Sequence, residues 1–141
     1  MKRMALILSL TLAVGIALGA TGNQVLSAEY AQQMPVKRTM LIQTDLVGAD
    51  GKEANMYVTE IQPGVDAGRH YHHAHTFVYV LEGAITIEEQ GKSPVTYGPG
   101  QAFHEPPKMV HDARNASARA PLKILVFQAP QKGQPLAVPV K

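Results

Sequence analysis

The chain has 141 residues, enough for one domain with a modest core. It contains no cysteine and no tryptophan, which excludes disulfides, thiolate-held metals, iron–sulfur clusters and cysteine nucleophiles. Of its 13 basic residues two are Lys2 and Arg3, so a cut after Ala28 leaves 13 − 2 = 11 against 11 acidic residues, a neutral protein with nothing that recommends nucleic acid.

The first stretch, "MKRMALILSLTLAVGIALGA", has a basic start and then an uncharged apolar run from Met4 to Ala20. Small residues follow, with candidate cleavage points after Gly19, Ala20, Ser27 or Ala28. The run approaches the roughly 18–20 residues that span a bilayer, so an uncleaved anchor is the competing reading. The tripartite layout favours an export signal over residues 1–28, which places the mature protein in the periplasm or outside the cell, with no membrane contact after signal removal.

A polar lead-in occupies residues 29–38. From Thr39 onward the chain reads as short β-type runs separated by turn signals. "TMLIQTDLVGADGKEANMYVTEIQPG" gives two runs around Gly and Asp residues that suit a tight reversal. "TFVYVLEGAITIEEQGKSPVTYGPGQAF" continues with Val, Ile, Thr, Tyr and Phe, punctuated by "EG", "QGKSP" and "GPG". "HDARNASARAPLKILVFQAP" adds a last pair. No segment after the signal keeps a helical period, so an all-β sandwich or barrel over residues 39–129 is expected. The tail, 130–141, carries two prolines after Pro130 and reads as a flexible arm, able to cover a neighbouring subunit.

All six histidines fall between positions 70 and 111. On a strand, His70 and His72 share one face, because side chains alternate, and two imidazoles so placed chelate one divalent ion. Imidazole ligands suit Fe, Mn, Ni, Cu or Zn without choosing among them. By the same alternation His73 faces away, as a surface or supporting group. The competing reading is a solvated histidine patch that binds metal weakly.

The frame around these histidines resembles the cupin superfamily of small jelly-roll barrels. The first motif appears as Gly64, five residues, His70-Tyr71-His72, three residues, Thr76, six residues, Gly83. The second appears as Gly100, five residues, Pro106-Pro107-Lys108, two residues, His111, three residues, Asn115. The resemblance implies a single-domain cupin barrel holding one divalent metal on His70, His72 and His111, with a small-molecule ligand or substrate inside. A homodimer is a further candidate.

Two positions depart from the motifs. Thr76 stands where a metal-binding glutamate is expected, and Lys108 where a turn glycine is expected; if that turn has positive φ, lysine is strained there. A fourth ligand then has two candidates. His75 is one residue from the vacated position, but reaches the metal only if the chain bulges, since it shares a face with Phe77, Tyr79 and Leu81. Glu105, just before the Pro-Pro turn, is the other, and is also the one weak candidate for a catalytic group. A small-cupin subset with His-Thr-Phe-x-Tyr-Val-Leu-Glu-Gly followed by Glu-Pro-Pro is similar, which implies that both features belong to one site design. Against this, Glu105 could be a rim carboxylate paired with Arg69 or Lys108. His104 is expected at the surface, Tyr71 in packing, Phe77 and Tyr79 in the core, and Asn115 at a turn after His111.

The functional expectation is an exported mononuclear-metal cupin, an oxygenase, decarboxylase or isomerase for a small organic substrate. A non-catalytic module holding metal or a small ligand is the alternative, and a metal-free barrel that dimerises through its edges is a third.

Overall fold

The structure is a computed structural model and describes residues 34–141. The export segment expected over residues 1–28 lies outside the described residues. Ten strands follow in chain order: β1 Val36–Asp45, β2 Glu53–Ile61, β3 His70–Tyr71, β4 Thr76–Glu82, β5 Ile85–Glu89, β6 Val95–Tyr97, β7 Ala102–Glu105, β8 His111–Asn115, β9 Leu122–Gln128 and β10 Val138–Pro139. No helix occurs among the described residues, and none is long and apolar enough to cross a membrane.

The strands form two five-stranded sheets, ordered β1-β2-β9-β4-β7 and β10-β3-β8-β5-β6, with antiparallel pairing throughout. This is the jelly-roll arrangement expected from the motifs. Alternation drives the packing: on β4, Thr76, Val78 and Val80 turn inward while Phe77, Tyr79 and Leu81 turn out. The same period along β2 and β9 sends Tyr57, Ile61, Leu122, Ile124 and Val126 into the core, where Val80 and Leu122 are fully buried. Phe77 and Tyr79 are therefore not core residues, as expected, but stand 50 % and 44 % exposed on the outer face. The expectation that aromatic residues go inside yields here to strand parity, which Thr76 and Val78 claim.

Two turns hold the site-bearing strands in place. Gly83, between β4 and β5, has φ 76°, and a Cβ there would sit 2.7 Å from the Pro121 carbonyl oxygen. Only glycine fits. Lys108, at the expected glycine position, has φ 62°, a left-handed conformation that costs a non-glycine residue about 1–2 kcal/mol. Its N–H donates to the His72 carbonyl at 2.7 Å, tying the Pro-Pro turn to the first motif. That bond offsets part of the strain.

The ends of the domain differ from the sequence reading. β1 begins at Val36, inside the stretch read as a lead-in. Residues 130–141 are not a free arm, because β10 pairs with β3 through Val138–Tyr71 and Pro139–His70. Pro139 is tolerated because β10 is an edge strand, where a missing N–H costs no ladder bond.

Candidate metal centre

Three elements bring the histidines together. His70 opens β3, His72 follows it directly, and His111 opens β8 as the register partner of His70. One ring atom from each of the three lies within 4.8 Å of the others. The ring centroids are 5.1 Å apart for His70–His72, 4.4 Å for His70–His111 and 5.6 Å for His72–His111. His72 and His111 are buried and His70 is half-buried.

The second nitrogen of each ring determines what the first can do. Nδ1 of His70 faces the Gly68 carbonyl at 2.6 Å, Nδ1 of His72 faces the Leu136 carbonyl at 2.5 Å, and Nδ1 of His111 faces the Met109 carbonyl at 3.0 Å. A carbonyl only accepts, so each Nδ1 carries a proton and, in the neutral ring, each Nε2 presents a lone pair. Backbone carbonyls commonly orient metal-binding imidazoles in this way.

Glu105 completes the set from β7. Its side chain is 4 % exposed, with Oε2 3.2 Å from His72 Nε2 and Oε1 3.1 Å from His111 Nε2. Two imidazole lone pairs thus face two carboxylate oxygens, acceptor against acceptor, unless a cation sits among them. His111 Nε2 is accordingly buried with no hydrogen bond of acceptable geometry. A proton satisfies this arrangement partly; a divalent ion satisfies all four groups at once, so the donor set fits a metal.

The electrostatics follow from the same contacts. Burial alone would raise the Glu105 carboxyl, but the His111 and His72 imidazoles set against its two oxygens overcome it and hold it at about 2. Burial lowers the His111 imidazole, and the Glu105 carboxylate 3.1 Å from its Nε2 outweighs that and raises it. His70 has no carboxylate contact, and burial leaves it below the usual histidine range.

The register explains how a carboxylate reaches a site whose motif position is Thr76. Thr76 and Glu105 are direct partners across β4 and β7, with side chains on the same inner face. A carboxylate is thus present on the same rung, one strand to the side of the motif position. Thr76 is 1 % exposed, and its hydroxyl donates to the Ala74 carbonyl at 3.3 Å. It leaves room for its neighbour. The row continues through Gln128 on β9, Asn55 on β2 and Gln43 on β1, so one rung crosses the whole sheet in polar residues.

The remaining candidates sort cleanly. His75 does not join the group: it faces the exterior with Phe77, because no bulge interrupts the entry to β4. Nor is Glu105 a rim carboxylate, since Arg69 instead donates to Gln90 at 3.0 Å. His104 is exposed, as alternation requires, and Tyr71 packs edge-on against His73 with centroids 5.5 Å apart. Asn115 does close the turn, donating to the carbonyls of Ile61, Gln62 and Ala120 and accepting from Ser117 N–H.

One participant escaped the sequence reading. Tyr57 on β2 lines the same cavity as the three histidines and Glu105, a void of ≈ 50 Å³ with walls from Ile61, Val78, Phe103 and Val126. Its hydroxyl oxygen accepts from Gln128 Nε2 at 3.0 Å, so its own proton is not used in that bond. Burial and the Glu105 charge raise the phenol to about 12, keeping it protonated, although Arg38 and Gln128 pull the other way. The polar rung was the available signal. "EANMYVTEI" alternates, and alternation places Asn55 and Tyr57 on one inward face.

Comparison with known proteins agrees with the fold. A cupin-like protein from Thermotoga maritima is similar at 24% identity, covering 74% of this chain and 75% of that one, with a TM-score of 0.61. The DMSP lyase DddQ from Ruegeria pomeroyi is similar at 21% identity and TM-score 0.61; 75% of this chain is covered, but only 52% of the lyase. The polyketide cyclase RemF from Streptomyces resistomycificus is similar at 20% identity and TM-score 0.58, covering 76% of this chain and 72% of that one. At these identities the likeness speaks for the fold alone. None of the curated proteins matches the sequence. The cupin domain family matches residues 57–128, from Tyr57 on β2 to Gln128 at the end of β9, and the chain therefore belongs to the cupin family.

Proposed function

We propose that this chain is an exported mononuclear-metal cupin that acts on a small oxygen-bearing molecule. The observation that carries the reading is the donor set itself: three imidazoles with Nδ1 held by carbonyls, and a buried carboxylate 3.1–3.2 Å from two of the Nε2 atoms. His70, His72, His111 and Glu105 would hold the ion. Bound there, a divalent metal supplies Lewis acidity to an oxygen of the ligand.

The chain's own residues do the rest. Ile61, Val78, Phe103 and Val126 give the cavity apolar walls, which lower the local polarity and strengthen the polar contacts inside. Tyr57 lines the cavity with a hydroxyl whose proton its bond from Gln128 leaves unused, and Gln128 is itself fixed by the Leu136 carbonyl at 3.2 Å. Glu105 is committed to two histidines, so Tyr57 is the better placed group to hold or give a proton at a ligand oxygen. The void of ≈ 50 Å³ has room for about three or four waters, which restricts the ligand to a few heavy atoms without rearrangement. That small volume also favours the second reading, a binding module that holds metal or a small ligand without turnover.

Metal analysis of tag-free protein purified after export tests the proposal, followed by oxygen uptake or decarboxylation assays with small diketones and oxo acids. A protein that stays metal-free under divalent-metal loading would sink both readings. Export is tested separately by the mass of the mature N-terminus, expected to begin between Ala20 and Glu29.

A further inference from the structure

The histidines outside the barrel are not merely the remainder of a histidine-rich tract. His75, just ahead of β4, and His104 on β7 come from positions 29 apart in sequence and meet on the outer face of the first sheet. Nδ1 of His75 lies 2.8 Å from Nε2 of His104, and the rings lie 24° from parallel with centroids 4.9 Å apart. Phe77 stacks on the other ring contact of His104, also at 4.9 Å and 24°, and so holds that imidazole in place. Phe77 and His104 are register partners, which makes the arrangement a product of sheet pairing.

We infer that His75 and His104 form a second, exterior metal site, a two-imidazole chelate for a first-row divalent ion such as Zn²⁺, Ni²⁺ or Cu²⁺. The inference does not depend on the interior site. Two nitrogens 2.8 Å apart share one proton, and a divalent ion replaces that proton. With Zn–N bonds of about 2.0–2.1 Å, two ligands on one ion stand about 2.9–3.4 Å apart, so the pair needs to open by only a few tenths of an ångström. Both side chains are exposed, and His75, which Phe77 does not hold, can make the adjustment. The remaining coordination positions go to water.

The surroundings select the class of metal. The groove beside His75 is lined by Lys52, Lys108, Phe127 and Gln131, with no carboxylate among its lining residues. Oxygen-seeking Mg²⁺ and Ca²⁺ find no anionic ligand there, whereas imidazole nitrogen suits Zn²⁺, Ni²⁺ and Cu²⁺. The six histidines thus divide by sheet face: three inside, this pair outside, and His73 against Tyr71.

The test counts zinc sites in tag-free protein by calorimetric titration with Zn²⁺, comparing wild type with the His75→Gln/His104→Gln double variant. The double variant is expected to bind one equivalent fewer than wild type. If wild type binds two and the variant one, both sites stand; if one and none, the exterior site stands, and metal analysis of the same sample tells a pre-loaded interior site from an absent one. Equal stoichiometry in the two proteins overturns the inference, whatever the interior site does. The single His75→Gln variant is expected to weaken the exterior equivalent by at least about tenfold, the lower end of what losing even a supporting partner costs a metal. Unchanged affinity in it would equally overturn the chelate.

Discussion

Replacing Glu105 by glutamine removes one negative charge from a buried pair of histidines while keeping the shape of the side chain. The carboxyl is held at about 2 against an ordinary 4.5, a difference of about 2.5 units, or roughly 3 kcal/mol of preference for the ionised form in this environment. In metal-free protein that stabilisation is present above the unfolded value of 4.5 and is lost as pH falls through 2. Wild type should therefore lose up to about 3 kcal/mol of stability on acidification across that window, and Glu105→Gln should lack this part of the acid dependence. At neutral pH the metal-free variant is expected to be less stable by a similar amount. If the carboxylate is also a metal ligand, Glu105→Gln should separately weaken divalent-metal binding by at least about 10–100-fold, the cost of losing even a supporting partner. Chemical denaturation against pH reads the first effect, and chelator competition reads the second. Metal affinity within about threefold of wild type, with the acid limb of stability unchanged, would refute the assignment of Glu105 to the donor set.

Three further outcomes follow from the same geometry. Thr76→Glu places a second carboxylate beside Glu105 on the same inner face, so the metal-free protein should lose several kcal/mol, on the order of 3, in denaturant midpoint analysis; Thr76→Glu with Glu105→Gln puts the one carboxylate on β4 instead and should recover most of both stability and metal binding. A double variant no better than Thr76→Glu alone would count against a carboxylate serving from either strand of that rung. In a chain without tryptophan, absorbance at 295 nm should show one phenol ionising only near 12, absent from Tyr57→Phe. Because the folded value exceeds the unfolded 10.0, this group's contribution, about 2–3 kcal/mol, is complete below pH 10 and lost as pH rises through 12. Deleting residues 136–141 removes the Leu136 carbonyl that holds His72 and Gln128, and should weaken metal binding by about 10–100-fold in chelator competition while the far-ultraviolet β signal persists.

Strand content, the absence of helix and the spacing of two motifs could be read along the chain, because side-chain alternation and turn chemistry act over a few residues. That local reach made His70 and His72 legible as a same-face pair, with His111 supplied only by the cupin resemblance, and it also predicted that Phe77 and His104 could not share a face with Thr76 and Glu105. It did not choose between His75 and Glu105. That choice depends on which residue of β7 lies opposite Thr76, a register fixed by pairing between segments about thirty positions apart. Tyr57 and Leu136 are further examples. The phenol reaches the site from β2 and the carbonyl from the C-terminal segment, and each acquires its role only when closing the barrel brings it against Gln128. By itself the sequence determined an all-β cupin with three interior histidines. Tertiary structure decided where the carboxylate enters, which nitrogens are free, and which histidines meet outside, because hydrogen-bond partners and strand register are properties of the closed sheet rather than of any one strand.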